Sequence, residues 1–459
     1  MLNTNKYLNI YIILIVFYLN FISILTSNII LPIKQDPYKF FYYYITLYFG
    51  SQKTPQSFIL DTTSSLISSP CNLCTSCGYH SNEYYNITNP NNEVLSCDDK
   101  CTKLSGTCNE KQCGFKYDYY ENMYYKGVYV NQNIYFNKNS EKPYELVVGC
   151  TLNETNYLIA QEPDGIMGIN NDDNSFINML YKHKIIQNNL FSICLNRSEG
   201  YLSLGNTFNK NEMKYIDYEI TQEKYYKINI DSLVLNDKNY EINNYAIIDS
   251  TATLSAFPEK IFEELVDKII RICTEDKCGK LIKNKNYGLC ANFKDNNEMI
   301  NMINNWPVIK INFKKNIEYI WRPDNYWINI TSDVNYRACF GFESTSENFI
   351  TLGFSFMRGY NLIFDKENTK IWMEESDCNE NQKKSNKTIS IITTNLKEGK
   401  NKINIIKITT IIIITIIILM VISKLLYNLI IRLNLRRKGF KKLNVKKTKN
   451  MKKITMIKK

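Results

Sequence analysis

Phe58-Ile59-Leu60-Asp61-Thr62-Thr63-Ser64-Ser65 and Ala246-Ile247-Ile248-Asp249-Ser250-Thr251-Ala252-Thr253 are two versions of one pattern: an apolar strand that runs into an aspartate and then into hydroxyl residues. A second element trails each copy. Asp164-Gly165-Ile166-Met167-Gly168-Ile169 is echoed by Ile350-Thr351-Leu352-Gly353-Phe354. Either aspartate alone reads most simply as a strand-end residue capping a turn. The repeat favours a duplicated β lobe, each copy giving one carboxylate to a shared cleft. Two carboxylates a few ångströms apart cannot both ionise, so they share a proton and titrate as a pair. The ionised member can take a proton from water while the neutral one donates to a carbonyl oxygen. That is amide hydrolysis without a covalent nucleophile, a metal or a histidine. The composition suits it: His80 and His183 are the 2 histidines of 459 residues, which leaves little room for histidine-based catalysis or metal binding. No cofactor and no metal are expected.

Around these copies, residues 38–378 carry short apolar or alternating runs: Phe41–Tyr48, Val128–Phe136, Tyr144–Gly149, Tyr245–Ile248, Val308–Phe313 and Asn361–Phe364. Turn residues separate them, which predicts an all-β body. Few helices are expected, at Ser175–Tyr181 and Pro258–Cys273. Hydrophobic residues at 44% and charged residues at 22% exclude a chain disordered throughout.

The ends set the compartment. Residues 1–26 read as a secretory signal peptide, with Lys6 before the apolar run Ile10–Tyr18. Residues 379–407 read as a polar stalk. Residues 408–431 are apolar, interrupted by Lys424, and long enough to span a bilayer. Residues 432–459 form a basic tail that marks the cytosolic side. The net charge of +11 owes much to that tail, so it argues for a membrane neighbour rather than a nucleic acid. A type I single-span protein with a luminal body follows, in the endoplasmic reticulum or another secretory compartment. Nothing in the sequence signals an oligomer, and a monomer is expected.

Cysteine usage agrees with that topology. All 14 cysteines lie in the body: Cys71, Cys74, Cys77, Cys97, Cys101, Cys108, Cys113, Cys150, Cys194, Cys273, Cys278, Cys290, Cys339 and Cys378. An even count in an oxidising compartment predicts disulfides. A zinc site at Cys71, Cys74 and Cys77 is the alternative for that cluster. Five N-x-S/T sequons also lie there, at Asn86, Asn153, Asn196, Asn329 and Asn386.

The two Asp-Thr/Ser positions, the apolar-apolar-Gly element behind each, and Gly353–Asp365 with Arg358-Gly359-Tyr360 resemble the pepsin-like aspartic proteases over roughly residues 38–378. The segment Pro70-Cys71-Asn72-Leu73-Cys74-Thr75-Ser76-Cys77-Gly78-Tyr79-His80 and the Cys-rich stretch to Cys113 resemble a nepenthesin-like insertion found in a membrane-anchored branch of that family. Asn305-Trp306-Pro307 and Trp321-Arg322-Pro323 are also similar to segments of that branch. The resemblance implies a bilobal fold with an N-terminal lobe over 27–220, an insertion over about 71–113 and a C-terminal lobe over 221–378. It implies Asp61 and Asp249 as catalytic residues, with Thr62, Ser64, Ser250 and Thr253 supporting their loops. It implies Tyr119 as the flap residue over a peptide substrate, and Glu121 as an acidic partner for a basic side chain. By analogy with membrane-anchored relatives, Cys194 pairs with Cys378 and Cys290 with Cys339, and Cys101 to Cys113 pair within the insertion. The implied activity is endopeptidase cleavage of short basic-hydrophobic motifs in secreted or exported proteins.

The chain departs from the family at two matched places. Thr63 and Thr251 stand where the family has Gly. A threonine forced to positive φ there would carry strain on the order of 1–3 kcal/mol. Ala252 replaces a supporting hydroxyl in the second copy, and Asn122-Met123 replaces the expected Gly-Ser of the flap. A catalytically inactive homologue that binds peptides in the same cleft is therefore the alternative expectation.

Overall fold

The computed structural model describes residues 29–35, 42–88, 93–119, 123–206, 208–210, 213–284, 288–331 and 336–379. The expected signal segment, the 408–431 span, the basic tail, all of the stalk past Asn379, and Glu121 lie outside the described residues. Among the described residues no helix is long and apolar enough to cross a membrane.

Strands dominate, in sheets of 14, 8 and 4 strands. The period-2 runs become strands because alternate side chains reach the core. In Tyr43–Phe49, for example, Tyr43, Ile45, Leu47 and Phe49 are buried and the residues between are half-buried. Of the two expected helices, one forms at Phe176–Lys182 and the other at Glu259–Ile272. The longer one buries Phe262, Leu265, Val266 and Ile269, spaced as one helical face, against the second lobe.

The sequence repeat is a repeat of topology. In the first lobe, Thr54–Asp61 runs parallel to Gly165–Gly168. Gly165–Gly168 is antiparallel to Ile67–Pro70, which runs parallel to Tyr144–Glu154. In the second lobe, Lys238–Ile248 runs parallel to Ile350–Leu352. Ile350–Leu352 is antiparallel to Ser255–Pro258, which runs parallel to Phe342–Thr345. Order and direction match strand for strand, so each aspartate leaves an equivalent strand at an equivalent crossing.

A shared sheet joins the lobes. It runs through Lys214–Asp217, Lys370–Glu375, Tyr360–Asp365, Leu190–Leu195, Glu199–Leu204 and Ile29–Gln35. Every residue of Leu190–Leu195 is buried, so this strand needs a partner on both edges. Tyr360–Asp365 supplies one, with the Phe191 and Phe364 rings stacked at 4.6 Å. The last strands of the body thus return to the first lobe instead of staying in the second.

All 14 cysteines are paired: Cys71–Cys150, Cys74–Cys77, Cys97–Cys108, Cys101–Cys113, Cys194–Cys378, Cys273–Cys278 and Cys290–Cys339. Cys71, Cys74 and Cys77 are thereby committed to sulfur partners and have no thiolate for zinc. Cys194–Cys378 ties the shared sheet to the chain beyond its last strand across a separation of 184 residues. Chain entropy alone makes such a closure worth ~5 kcal/mol. The Cys-rich segment is also held by polar contacts. Glu154 accepts from the Gly78 N–H at 3.0 Å and faces His80 Nε2 at 2.9 Å, while His80 Nδ1 lies 2.9 Å from the Gln161 carbonyl.

Candidate active site

Asp61 and Asp249 each emerge where a parallel strand pair ends. The Asp61 carbonyl accepts from the Ile169 N–H at 2.8 Å, and the Asp249 N–H donates to the Leu352 carbonyl at 3.0 Å. Gly168 and Gly353 make these crossings possible. A Cβ on Gly168 would lie 2.3 Å from the Ser65 carbonyl carbon, and one on Gly353 would lie 2.4 Å from the carbonyl oxygens of both Ala252 and Leu254. Backbone fills those positions, so no side chain fits.

The residues after the aspartates lock the two loops together. Thr62 Oγ1 donates to the Ile248 carbonyl at 2.8 Å and accepts from the Ser250 N–H at 2.9 Å. Ser250 Oγ donates to the Leu60 carbonyl at 2.7 Å and accepts from the Thr62 N–H at 3.0 Å. Both side chains are fully buried. Each hydroxyl therefore satisfies one buried donor and one buried acceptor of the other lobe, and the bonds obey the same twofold relation as the strands.

The expectation of strain at Thr63 and Thr251 is corrected here: neither residue has positive φ. Each is half-buried, and each holds its aspartate twice. Thr63 donates to Asp61 Oδ1 from its N–H at 2.8 Å and from Oγ1 at 2.6 Å. Thr251 does the same to Asp249 Oδ1, at 2.8 Å and 2.6 Å. Ser64 supports Asp61 through its backbone N–H, at 3.2 Å from Oδ1, and not through its hydroxyl, which has no hydrogen-bond partner among the described residues. The Ala252 N–H adds a bond to Asp249. Thr253 sits half-buried in the same loop.

Family comparison agrees with this geometry. The family models described as xylanase inhibitor N-terminal and xylanase inhibitor C-terminal match residues 43–206 and 225–375, one per lobe. The chain belongs to the pepsin-like aspartic protease family. Among the similar curated proteins of this family is plasmepsin V of Plasmodium falciparum, 24% identical over 428 residues, covering 74% of this chain and 72% of that protein. Aspartic proteinase-like protein 1 of Arabidopsis thaliana is 23% identical, covering 70% of this chain and 65% of that protein. The crystal structure of basic 7S globulin from soybean shares the fold with a TM-score of 0.62 at 14% identity, covering 76% of this chain and 95% of that one.

In this aspartic protease-like chain the flap is the hairpin of Gln112–Asp118 and Tyr124–Tyr135. Its Tyr119 hydroxyl donates to Asp61 Oδ2 at 3.1 Å, so the residue expected to cover the cleft does meet the first aspartate. Tyr117, Tyr119 and Tyr125 pack together, with ring centroids 5.6 to 5.9 Å apart. Two neighbours of the pair carry no obvious sequence signal. The Tyr117 hydroxyl accepts from the Ser65 N–H at 3.2 Å. Tyr225 lies within electrostatic reach of both aspartates: burial first, then Asp61, Glu223 and Asp249, push its hydroxyl pKa above the ordinary value. One of many tyrosines is legible as a cleft residue only once the strand register is known.

The two carboxylates are unequal. Asp61 receives four hydrogen bonds, three on Oδ1 and one on Oδ2. Among the described residues Asp249 has no such contact from the flap. Burial, and next the charge of Asp61, push the Asp249 pKa up to about 6 despite the bonds from Thr251 and Ala252. The two aspartates titrate as a pair, and the raised value favours Asp249 as the side that holds the shared proton.

Proposed function

We propose that this protein is an aspartic endopeptidase in which Asp61 and Asp249 activate water. The observation that carries the proposal is the cross-braced, twofold pair of loops with unequal carboxylates. Ionised Asp61 has a free lone pair on Oδ2 and takes a proton from a water that attacks the peptide carbonyl carbon. Asp249 gives its proton to the carbonyl oxygen, and a tetrahedral diol forms. Collapse of the diol returns one proton to Asp249, and the proton held by Asp61 passes to the departing nitrogen. Tyr119 closes over the bound peptide, and its bond to Asp61 is replaced or shared when water enters.

The likeness to plasmepsin V, the signal-like segment, the 408–431 span and seven disulfides support a membrane-anchored protein of the secretory pathway with a luminal body. Glu121 is proposed to pair with a basic side chain of the substrate, which gives preference for short basic-hydrophobic motifs.

The test is cleavage of a library of extended peptides by the purified full-length chain between pH 4 and 7, with Asp61→Ala and Asp249→Ala as controls. Cleavage lost in both controls is the expected result. A folded, disulfide-complete protein that binds peptides without cutting them would replace the proposal with a peptide-binding role.

A further inference from the structure

We propose that the hydroxyls of Thr63 and Thr251 are positioning groups of the aspartate pair, each setting the protonation of the carboxylate two residues before it. The inference deepens the peptidase reading and rests on it. Where the family has Gly, only the backbone N–H of this position can reach the aspartate. Here the side chain adds a second donor to the same oxygen, at 2.6 Å in both lobes. The two contacts match to 0.1 Å in the N–H bond and in the hydroxyl bond alike, as the twofold relation of the lobes requires. A hydroxyl this close to a carboxylate oxygen favours the ionised form.

The other groups facing the pair do not supply this effect. They are Tyr117, Tyr119 and Tyr125 of the flap and Tyr225 at the start of the second lobe, with Glu223 beside Tyr225. Burial raises all four phenol pKa values above the ordinary one, so these hydroxyls stay neutral over the working range. Of these four tyrosines, Tyr119 is the one with a hydrogen bond to the pair among the described residues, and that bond goes to Asp61. The hydroxyls that treat both carboxylates equally are those of the threonines.

The two lobes predict two different signatures. Asp61 works ionised, so the acidic limb of the pH profile reports its protonation. Asp249 works protonated, so the alkaline limb reports its ionisation. Thr63→Val removes a donor from Asp61 and is expected to move the acidic limb up by about one pH unit. Thr251→Val is expected to move the alkaline limb up by about the same amount; both estimates follow from one lost charge-assisted hydrogen bond at a half-open site. Thr→Ser at either position keeps the wild-type limbs, because the hydroxyl is retained. Thr→Gly follows Val, because the hydroxyl and not the methyl group is the active part.

The experiment measures kcat/KM against pH for the full-length chain and these variants, together with the carbon-13 carboxyl titration of Asp61 and Asp249. The titration reads protonation without turnover. If the wild-type protein cuts no peptide, the peptidase reading fails and the titration still decides the role of the threonines. Limbs and carboxyl titrations unmoved in both Val variants would overturn the inference. So would Gly variants that titrate like wild type while Val variants shift, since bulk would then be the cause. A Val variant that does not fold is replaced by its Gly counterpart, for which the same shift is required.

Discussion

Ser250→Ala tests whether the lobes are held together by the hydroxyl exchange at the base of the cleft. Ser250 Oγ makes two bonds to the first lobe, to the Leu60 carbonyl at 2.7 Å and from the Thr62 N–H at 3.0 Å. The site is closed to water, with Ser250 1% and Thr62 0% exposed. Alanine therefore orphans one buried acceptor and one buried donor. Each orphan costs roughly 1–3 kcal/mol, so the variant should lose about 2–6 kcal/mol. For a body of this size, that loss corresponds to a Tm lower by on the order of 3–8 °C. Loosening the loops also moves the carboxylates, and a displacement of about 1 Å can cost on the order of 100-fold in rate. Scanning calorimetry and kcat/KM on the full-length chain read the two effects. Ser250→Thr is the control, because the twofold-related position already carries a threonine, and it should stay within about 2 °C of wild type. Thr62→Ala should match Ser250→Ala, since Thr62 makes the mirror pair of bonds. A Ser250→Ala variant that melts with the wild type, while Thr62→Ala does not, would refute the twofold account of the grip.

Gly353→Ala and Gly168→Ala each drive a Cβ to 2.3–2.4 Å from backbone atoms of the aspartate loops, and each should destabilise by about 3 kcal/mol or more, read as loss of soluble, disulfide-complete protein or a collapsed Tm. His80 carries a pH-dependent share of stability. Its burial disfavours the charge, but the Glu154 carboxylate at 2.9 Å and the Gln161 carbonyl outweigh burial and hold the imidazole pKa above its ordinary value. A raised folded-state pKa stabilises the fold fully below the unfolded value of about 6.5, and that stability is lost as the pH rises through the folded value. His80→Gln should thus cost about 3 kcal/mol at pH 5, with the gap to wild type shrinking toward pH 9 in thermal melts; a gap constant across that range would reject the pairing.

Much of the fold is legible in the sequence because burial and period coincide. Strands such as Tyr43–Phe49 alternate, and the Glu259–Ile272 helix carries one apolar face. The aspartate strands are legible for a second reason: two copies of one crossing must satisfy one steric rule, so glycine recurs at 168 and 353. What is hidden depends on register between distant segments. The return of Tyr360–Asp365 to Leu190–Leu195 follows from a strand buried on both faces, and no local pattern announces its partner. The same holds for His80 and Glu154, which are 74 residues apart, and for Tyr225, one tyrosine among 34.

Threonine in place of glycine reads, in the sequence, as damage to both loops at once. The backbone at Thr63 and Thr251 makes that reading unnecessary, because neither residue needs the left-handed region and each finds a bond for its hydroxyl. A change in one lobe alone would hold one carboxylate with a side-chain donor and leave the other without. Changing both keeps the threonine contacts to the two Oδ1 atoms equal, so the difference between the aspartates comes from elsewhere: from burial of Asp249, and from one contact on the other side. That contact is Tyr119, carried by the flap of the first lobe and bonded to Asp61 Oδ2. Equal threonine contacts and an unequal outer one let each carboxylate keep its side-chain donor while the flap singles out Asp61.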